Sequence, residues 1–263
     1  MAVMLPQSQA PQAVNPYSRW IYDHPRSILA HPTPEQLHAL RHAALGAGDS
    51  RLPAPPAPWL GLDLGCGSGQ YLLRRAASQP QAHWVGFELR YKRLVKAARK
   101  LEKLGLPHVW LLREVAERCG DYFAPGAVDE ICINFPDPWP RPSQWKKRLI
   151  QEGFLADVAR LLRGGGSLAI KTDHSGYFLH VLAETRRVLG WPCTGFSNDV
   201  HRSLPRADAP SAACLAPAVA PPETEFEQLF RAQGKPVFYL RLVKPGDERR
   251  SLSAGSEIPQ ARA

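Results

Sequence analysis

From residue 59 to residue 189, short apolar runs alternate with amphipathic ones, and this rhythm constrains the fold more than any other feature. Strands are expected at 59–64, 83–87, 108–112, 128–133 and 167–170. Helices are expected after the first of them (Tyr71, Leu72, Leu73, Ala76) and at 91–104, 145–162 and 177–189, where Ile150, Phe154, Val158 and Leu161 share one face of the third. Strands joined by helical crossovers must lie parallel, and such a sheet needs helices over both faces. Two late extended runs, 192–196 and 236–243, would complete it as an antiparallel edge pair. The expectation is an α/β domain with a mostly parallel, seven-stranded sheet.

The flanks differ in composition. Residues 1–33 are rich in proline and polar groups with Tyr17, Trp20, Ile21 and Tyr22 interspersed, and read as an arm that docks on the core. A short helix at 34–45, capped by Thr33 with Pro34 at its first position, leads into a Gly/Pro/Ala linker at 46–58. One domain then spans 34–245, with a flexible alanine- and proline-rich insertion at 204–223 and a disordered tail at 246–263.

Five cysteines without C-x-x-C spacing argue against a disulfide framework or a zinc knuckle. A proline at position 6 cuts short any signal peptide, and no apolar run approaches membrane-spanning length, so a cytoplasmic chain with no membrane contact is expected. A formal charge of +9 calls for a polyanionic partner.

Two motifs carry chemistry. The first, Asp63-Leu64-Gly65-Cys66-Gly67-Ser68-Gly69, follows the first strand. Its glycines let backbone approach a ligand where the sheet reverses direction. Asp63 would repel a pyrophosphate and attract the ammonium of an amino-acid moiety. Glu88 ends the second strand, where a carboxylate suits a ribose diol, and Glu114 follows the third, placed to meet an adenine edge. Three acids at three successive strand ends describe S-adenosyl-L-methionine better than a dinucleotide. No metal site is expected.

The second motif is Asn134-Phe135-Pro136-Asp137-Pro138-Trp139-Pro140, followed by Arg141, Lys146, Lys147 and Arg148. Three prolines in five residues stiffen a turn at the fourth strand's end and hold out the Asp137 carboxylate. Lys146, Lys147 and Arg148 would fall in the first turn of a helix, where cations oppose the dipole, so phosphate binding explains them better than folding does. Trp139 reads as a loop anchor, and Trp145 is open between anchor and stacking platform. The cations Arg90, Lys92, Arg93, Lys96, Arg99, Lys100 and Lys103 lie opposite an apolar stripe and read as a solvated face. His24, His31 and His174 have no metal-like spacing.

The proline turn with its basic run resembles the signature of tRNA (guanine-N7-)-methyltransferases. So do Thr172-Asp173 and the late segment Thr224-Glu225-Phe226-Glu227-Gln228-Leu229-Phe230. The resemblance covers about 59–243 and implies the class I methyltransferase (Rossmann-like) sheet. It implies that Asp63, Glu88, Glu114 and Asp137 contact S-adenosyl-L-methionine, with Asp137 at the reacting centre between the ligands. It sets Arg141, Asp173 and Thr224 to Glu227 on the target nucleotide of a tRNA, by analogy guanosine 46 of the variable loop, and suggests no obligate protein partner. The chain departs from the family pattern in its interrupted basic run, in Arg141 where lysine is common, and in Glu114 for aspartate. Two rival readings keep the fold: a class I methyltransferase acting on a small molecule or protein, and a non-catalytic RNA-binding protein.

Overall fold

The computed structural model describes residues 59–201 and 223–246, together with Tyr17, Trp20, Ile21, His24, Ile28 and Leu29. The expected helix at 34–45, the linker, most of the 204–223 insertion and the tail beyond residue 246 lie outside the described residues.

Eight strands form one sheet: β1 Ile28–Leu29, β2 Leu60–Leu64, β3 His83–Phe87, β4 Val109–Leu112, β5 Val128–Asn134, β6 Leu162–Thr172, β7 Cys193–Ser197 and β8 Phe238–Val243. Their order is β1-β4-β3-β2-β5-β6-β8-β7. The first six pair in parallel, and β8 runs antiparallel to both β6 and β7. The helices are α1 Gln70–Ser78, α2 Tyr91–Leu104, α3 Glu152–Leu161, α4 Ser175–Val188 and α5 Glu225–Ala232.

Side chains alternate between two cores, as strand geometry requires. Leu62, Leu64, Val85, Phe87, Ile131 and Ile133 face Phe154, Leu155, Val158, Tyr177 and Phe178 of α3 and α4. Trp84, Leu111, Cys132 and Ala169 face Leu72, Leu73, Leu94, Val95 and Ala98 of α1 and α2.

The sequence undercounted the strands by one. Ile28 and Leu29 add a parallel edge to β4, and Ile28 and Ile21 are 2% and 1% exposed in the second core. Burying two such side chains stabilises the attachment by about 2 kcal/mol each. A two-residue strand is too short to show period-two patterning in the sequence.

The helix expected at 145–162 is also different. A 3-10 helix occupies Pro142–Lys147, Arg148 is extended (φ −64°, ψ 137°), and α3 begins at Glu152. Ile150 is fully buried but precedes the helix it was assigned to. Lys146 and Lys147 therefore close a 3-10 turn, where cations are favourable, and the dipole argument for them falls. Among the described residues no helix is long and apolar enough to cross a membrane.

Candidate active site

The chain runs outward from β2 to β3 and β4, then returns to β5 beside β2. The carboxyl ends of β2 and β5 therefore border the crevice where ligands settle in open α/β sheets. Asp63 pairs with Cys132 across these strands, and two residues further along β5 the Asn134 Nδ2 donates to Asp63 Oδ1 at 3.3 Å.

Asp63 is 1% exposed, and its Oδ2 is buried without a hydrogen-bond partner among the described residues. Burial pushes its carboxyl up to about 7; the Asn134 amide opposes the rise and Glu88 adds to it. A buried carboxylate with an unused oxygen is poised to accept a cation.

The glycine loop wraps this carboxyl. Gly69 starts α1 at φ +78°, and a Cβ there would sit 2.9 Å from the Ala97 Cβ, so only glycine lets α1 approach α2 this closely. A first cavity is lined by Asp63, Gly65, Gly67, Tyr71, Arg93, Asn134, Phe135, Thr224, Glu225 and Phe226. A second adjoins it, lined by Gly65, Glu88, Arg90, Arg93, Ala116, Glu117, Asn134, Phe135, Asp137, Trp139, Lys147 and Phe226. Gly65, Arg93, Asn134, Phe135 and Phe226 belong to both.

The turn after β5 is strained. Phe135 and Trp139 hold φ of 54° and 42°, values rare for aromatic residues, and such strain gathers at functional sites. Three contacts hold the turn. Phe135 N donates to Lys171 O at 2.8 Å. Arg148, 5% exposed, donates through Nε to Pro138 O at 3.0 Å. Its guanidinium lies over the Trp145 and Tyr177 rings. Arg148 is thus a clasp on the turn, unlike the phosphate ligand its sequence neighbours suggested. Trp139, read as an anchor, lines the second cavity with Lys147 Nζ 4.9 Å from its ring centre.

Helix α5 covers the turn. Phe226 and Phe230 pack on Phe135 with centroids 6.1 and 5.3 Å away. Thr224 and Glu227 form a reciprocal capping box at its start. Glu227 also pairs with Lys171 Nζ at 2.7 Å, both side chains 3% exposed. Glu225 reaches Lys100 of α2 at 3.0 Å, and Arg93 lies over the Phe226 ring at 5.0 Å. Lys171→Met would strand the Glu227 anion and should cost about 3 kcal/mol. Urea titration checks this; in Lys171→Met/Glu227→Met more than about half of the loss should return, because no charge is left buried.

The expected site residues fall into groups. Asp63, Gly65, Gly67, Glu88, Asp137 and Thr224 line the cavities, whereas Arg141 and Asp173 line neither. Glu114 accepts from Val115 N, Arg118 Nη1 and Tyr122 Oη, and the cavity wall beside it is made by Ala116 and Glu117. Arg93 was read only as part of a solvated face, and Asn134 and Phe226 only as members of their motifs; all three line both cavities. Burial pushes the thiols of Cys66 and Cys132 well up, and that of Cys119 to about 12, so none of these three offers a thiolate nucleophile.

Residues 58–240 match a family model described as "Putative methyltransferase". A tRNA (guanine-N(7)-)-methyltransferase of Exiguobacterium sp. is 32% identical over 182 residues, 69% of this chain and 78% of that protein. That of Bacillus licheniformis is 32% identical over 67% of this chain and 76% of its own length. The chain belongs to the tRNA (guanine-N(7)-)-methyltransferase family. A bifunctional glycosyltransferase/methyltransferase of Fusobacterium nucleatum is 32% identical over 70% of this chain, and the match spans 27% of that larger protein. Among solved structures, the 16S rRNA methyltransferase KamB superposes with a TM-score of 0.53 at 18% identity, covering 82% of this chain and 95% of that one. At that identity the likeness speaks for the fold alone. The family's class I methyltransferase sheet accounts for the strand order seen here, with β8 inserted antiparallel between β6 and β7.

Proposed function

We propose that this chain transfers a methyl group from S-adenosyl-L-methionine to N7 of a guanosine in tRNA, by resemblance guanosine 46 of the variable loop. The observation that carries the reading is the partnerless buried oxygen of Asp63, set in a glycine cradle that opens onto the carboxylate-bearing turn.

The residues fit the cofactor. Asp63 would accept its ammonium, the backbone of Gly65, Gly67 and Gly69 would admit its methionine end, and Glu88 would take its ribose diol. Glu114, engaged by Arg118 and Tyr122, braces the Ala116–Glu117 wall against which the adenine would lie. What the cofactor supplies is an electrophilic methyl on a sulfonium.

The protein's share of the work is alignment and charge. Guanine N7 attacks with an in-plane lone pair; the new C–N bond forms as the S–C bond breaks, and no proton leaves. No general base is needed, in keeping with a site that holds carboxylates and raised thiols. Asp137 would offset the positive charge that develops on the purine. Arg141, Asp173, Thr224 and Glu227 are the proposed contacts of the target nucleotide. Within the last segment, Thr224, Glu225 and Phe226 line the cavity, while Glu227 is held by Lys171. N7 is poorly accessible in a folded RNA, so the nucleotide must be extruded.

The test is to incubate the protein with unmodified tRNA and methyl-labelled cofactor, then digest to nucleosides. Label in 7-methylguanosine is expected. Label elsewhere, or none, overturns the reading.

A further inference from the structure

Helix α2 carries six cations, Lys92, Arg93, Lys96, Arg99, Lys100 and Lys103, and a single acid, Glu102. The structure divides them. Arg93 and Lys100 look toward α5: one lies over the Phe226 ring, and the other pairs with Glu225 and donates to Ser68 O. Lys92, Lys96, Arg99 and Lys103 are exposed. At about 100° per residue these four fall within an arc of about 60°, opposite the buried Leu94, Ala98 and Leu101.

Folding accounts for little of this ridge: Arg99 lies over the Trp20 ring and Lys96 feels the Glu225 carboxylate, yet all four side chains stay exposed. Like charges three and four residues apart on a helix repel one another. No acid lies in the first turn of α2 and no side chain caps it, so Lys92 stands uncompensated at the positive end of the dipole. Among the described residues none of the four makes a close ion pair with a carboxylate; Lys96 acts on Glu225 only at longer range, behind the Lys100 contact. The ridge also begins where the site ends: Arg90 and Arg93, which flank Lys92 in the sequence, both line the second cavity. Lys147 lines the same cavity.

We propose that the outward ridge of α2 is a track for the phosphodiester backbone beside the target nucleotide, with Lys92, Lys96, Arg99 and Lys103 each facing RNA phosphate. The proposal rests on the tRNA reading above and extends it from the cavity to a second surface. From Lys92 to Lys103 the track is roughly 16 Å long. Lys147, on the wall of the same cavity, would add a further cation beside the extruded base. Contacts of this kind give affinity and register without reading sequence.

The test is Lys92→Ala/Lys96→Ala/Lys103→Ala, with Arg99 left in place because it also lies over the Trp20 ring at 5.5 Å. Binding of unmodified tRNA should weaken about tenfold at physiological salt, and the slope of log Kd against log salt should fall by about two to three. The loss should appear in KM for tRNA, with S-adenosylhomocysteine affinity unchanged. The thermal midpoint should hold or rise, since repulsion along the helix is relieved; this separates lost contact from lost folding. Wild-type tRNA affinity and salt slope in a variant that still makes 7-methylguanosine would overturn the track alone. A wild-type protein that neither binds nor methylates tRNA would overturn both the track and the reading beneath it.

Discussion

Asp63→Asn is expected to weaken S-adenosylhomocysteine binding at least about a hundredfold while making the ligand-free protein more stable at pH 8. Both effects follow from one buried group. Its pKa is raised from the ordinary 3.8 to about 7, so the folded state favours the protonated form. The stability this contributes is complete below about 4 and is lost as pH rises through 7. At pH 8 the carboxylate is ionised and costs free energy that a neutral amide does not. Allowing for the amide's own buried donor, the net gain is on the order of 2 kcal/mol. An ammonium-bearing ligand needs the ionised form, so wild-type affinity should fall about tenfold per pH unit below 7. Calorimetric titration from pH 5.5 to 8, with thermal unfolding of the ligand-free proteins, measures both. Wild-type affinity in the variant, or a flat pH profile in the wild type, would remove Asp63 from the ammonium site.

Asp137→Asn should lower kcat about a hundredfold and leave tRNA affinity within about threefold. The amide keeps the shape of the side chain and its accepting oxygen and removes only the charge. Asp137 is exposed at the tip of the turn and lines the second cavity. Its position is set by neighbours in costly backbone conformations, Phe135 and Trp139, which the Arg148 clasp and the Lys171 carbonyl hold in place. A charge fixed before the base arrives needs no reorganisation as the purine becomes cationic. Single-turnover rates with saturating tRNA isolate the step. A rate within about threefold of wild type, or a loss matched by equal loss of tRNA binding, would deny Asp137 this role.

The strands from β2 to β5 and the acids at their ends were legible because each is a local pattern. Short apolar runs marked 60–64 and 83–87, which are buried almost throughout as strands covered on both faces must be, and glycines after β2 marked the cradle. The break in the expected helix at 145–162 was not legible. Ile150, Phe154 and Val158 keep helical spacing although Ile150 lies outside α3, and what delays the start of the helix is Arg148, extended and reaching back to Pro138 O. The pairing of Lys171 with Glu227 joins residues 56 apart, and a buried lysine at a strand end looks in sequence like any other. Nor does composition signal that two aromatics adopt left-handed backbone, since prolines restrict their neighbours without dictating that region. Arg93 was hidden among six cations of one helix, and only its place on both cavities, under the Phe226 ring, distinguishes it.

Lys171 touches both halves of the lid-like cover: its carbonyl receives the amide of Phe135, and its ammonium holds the first turn of α5 through Glu227. Any nucleotide that drew Glu227 away would therefore tug on the residue that sets the height of the Asp137 loop. On the proposed roles of Glu227 and Asp137, guest recognition and the seating of the carboxylate would be mechanically joined through one lysine, without a dedicated relay.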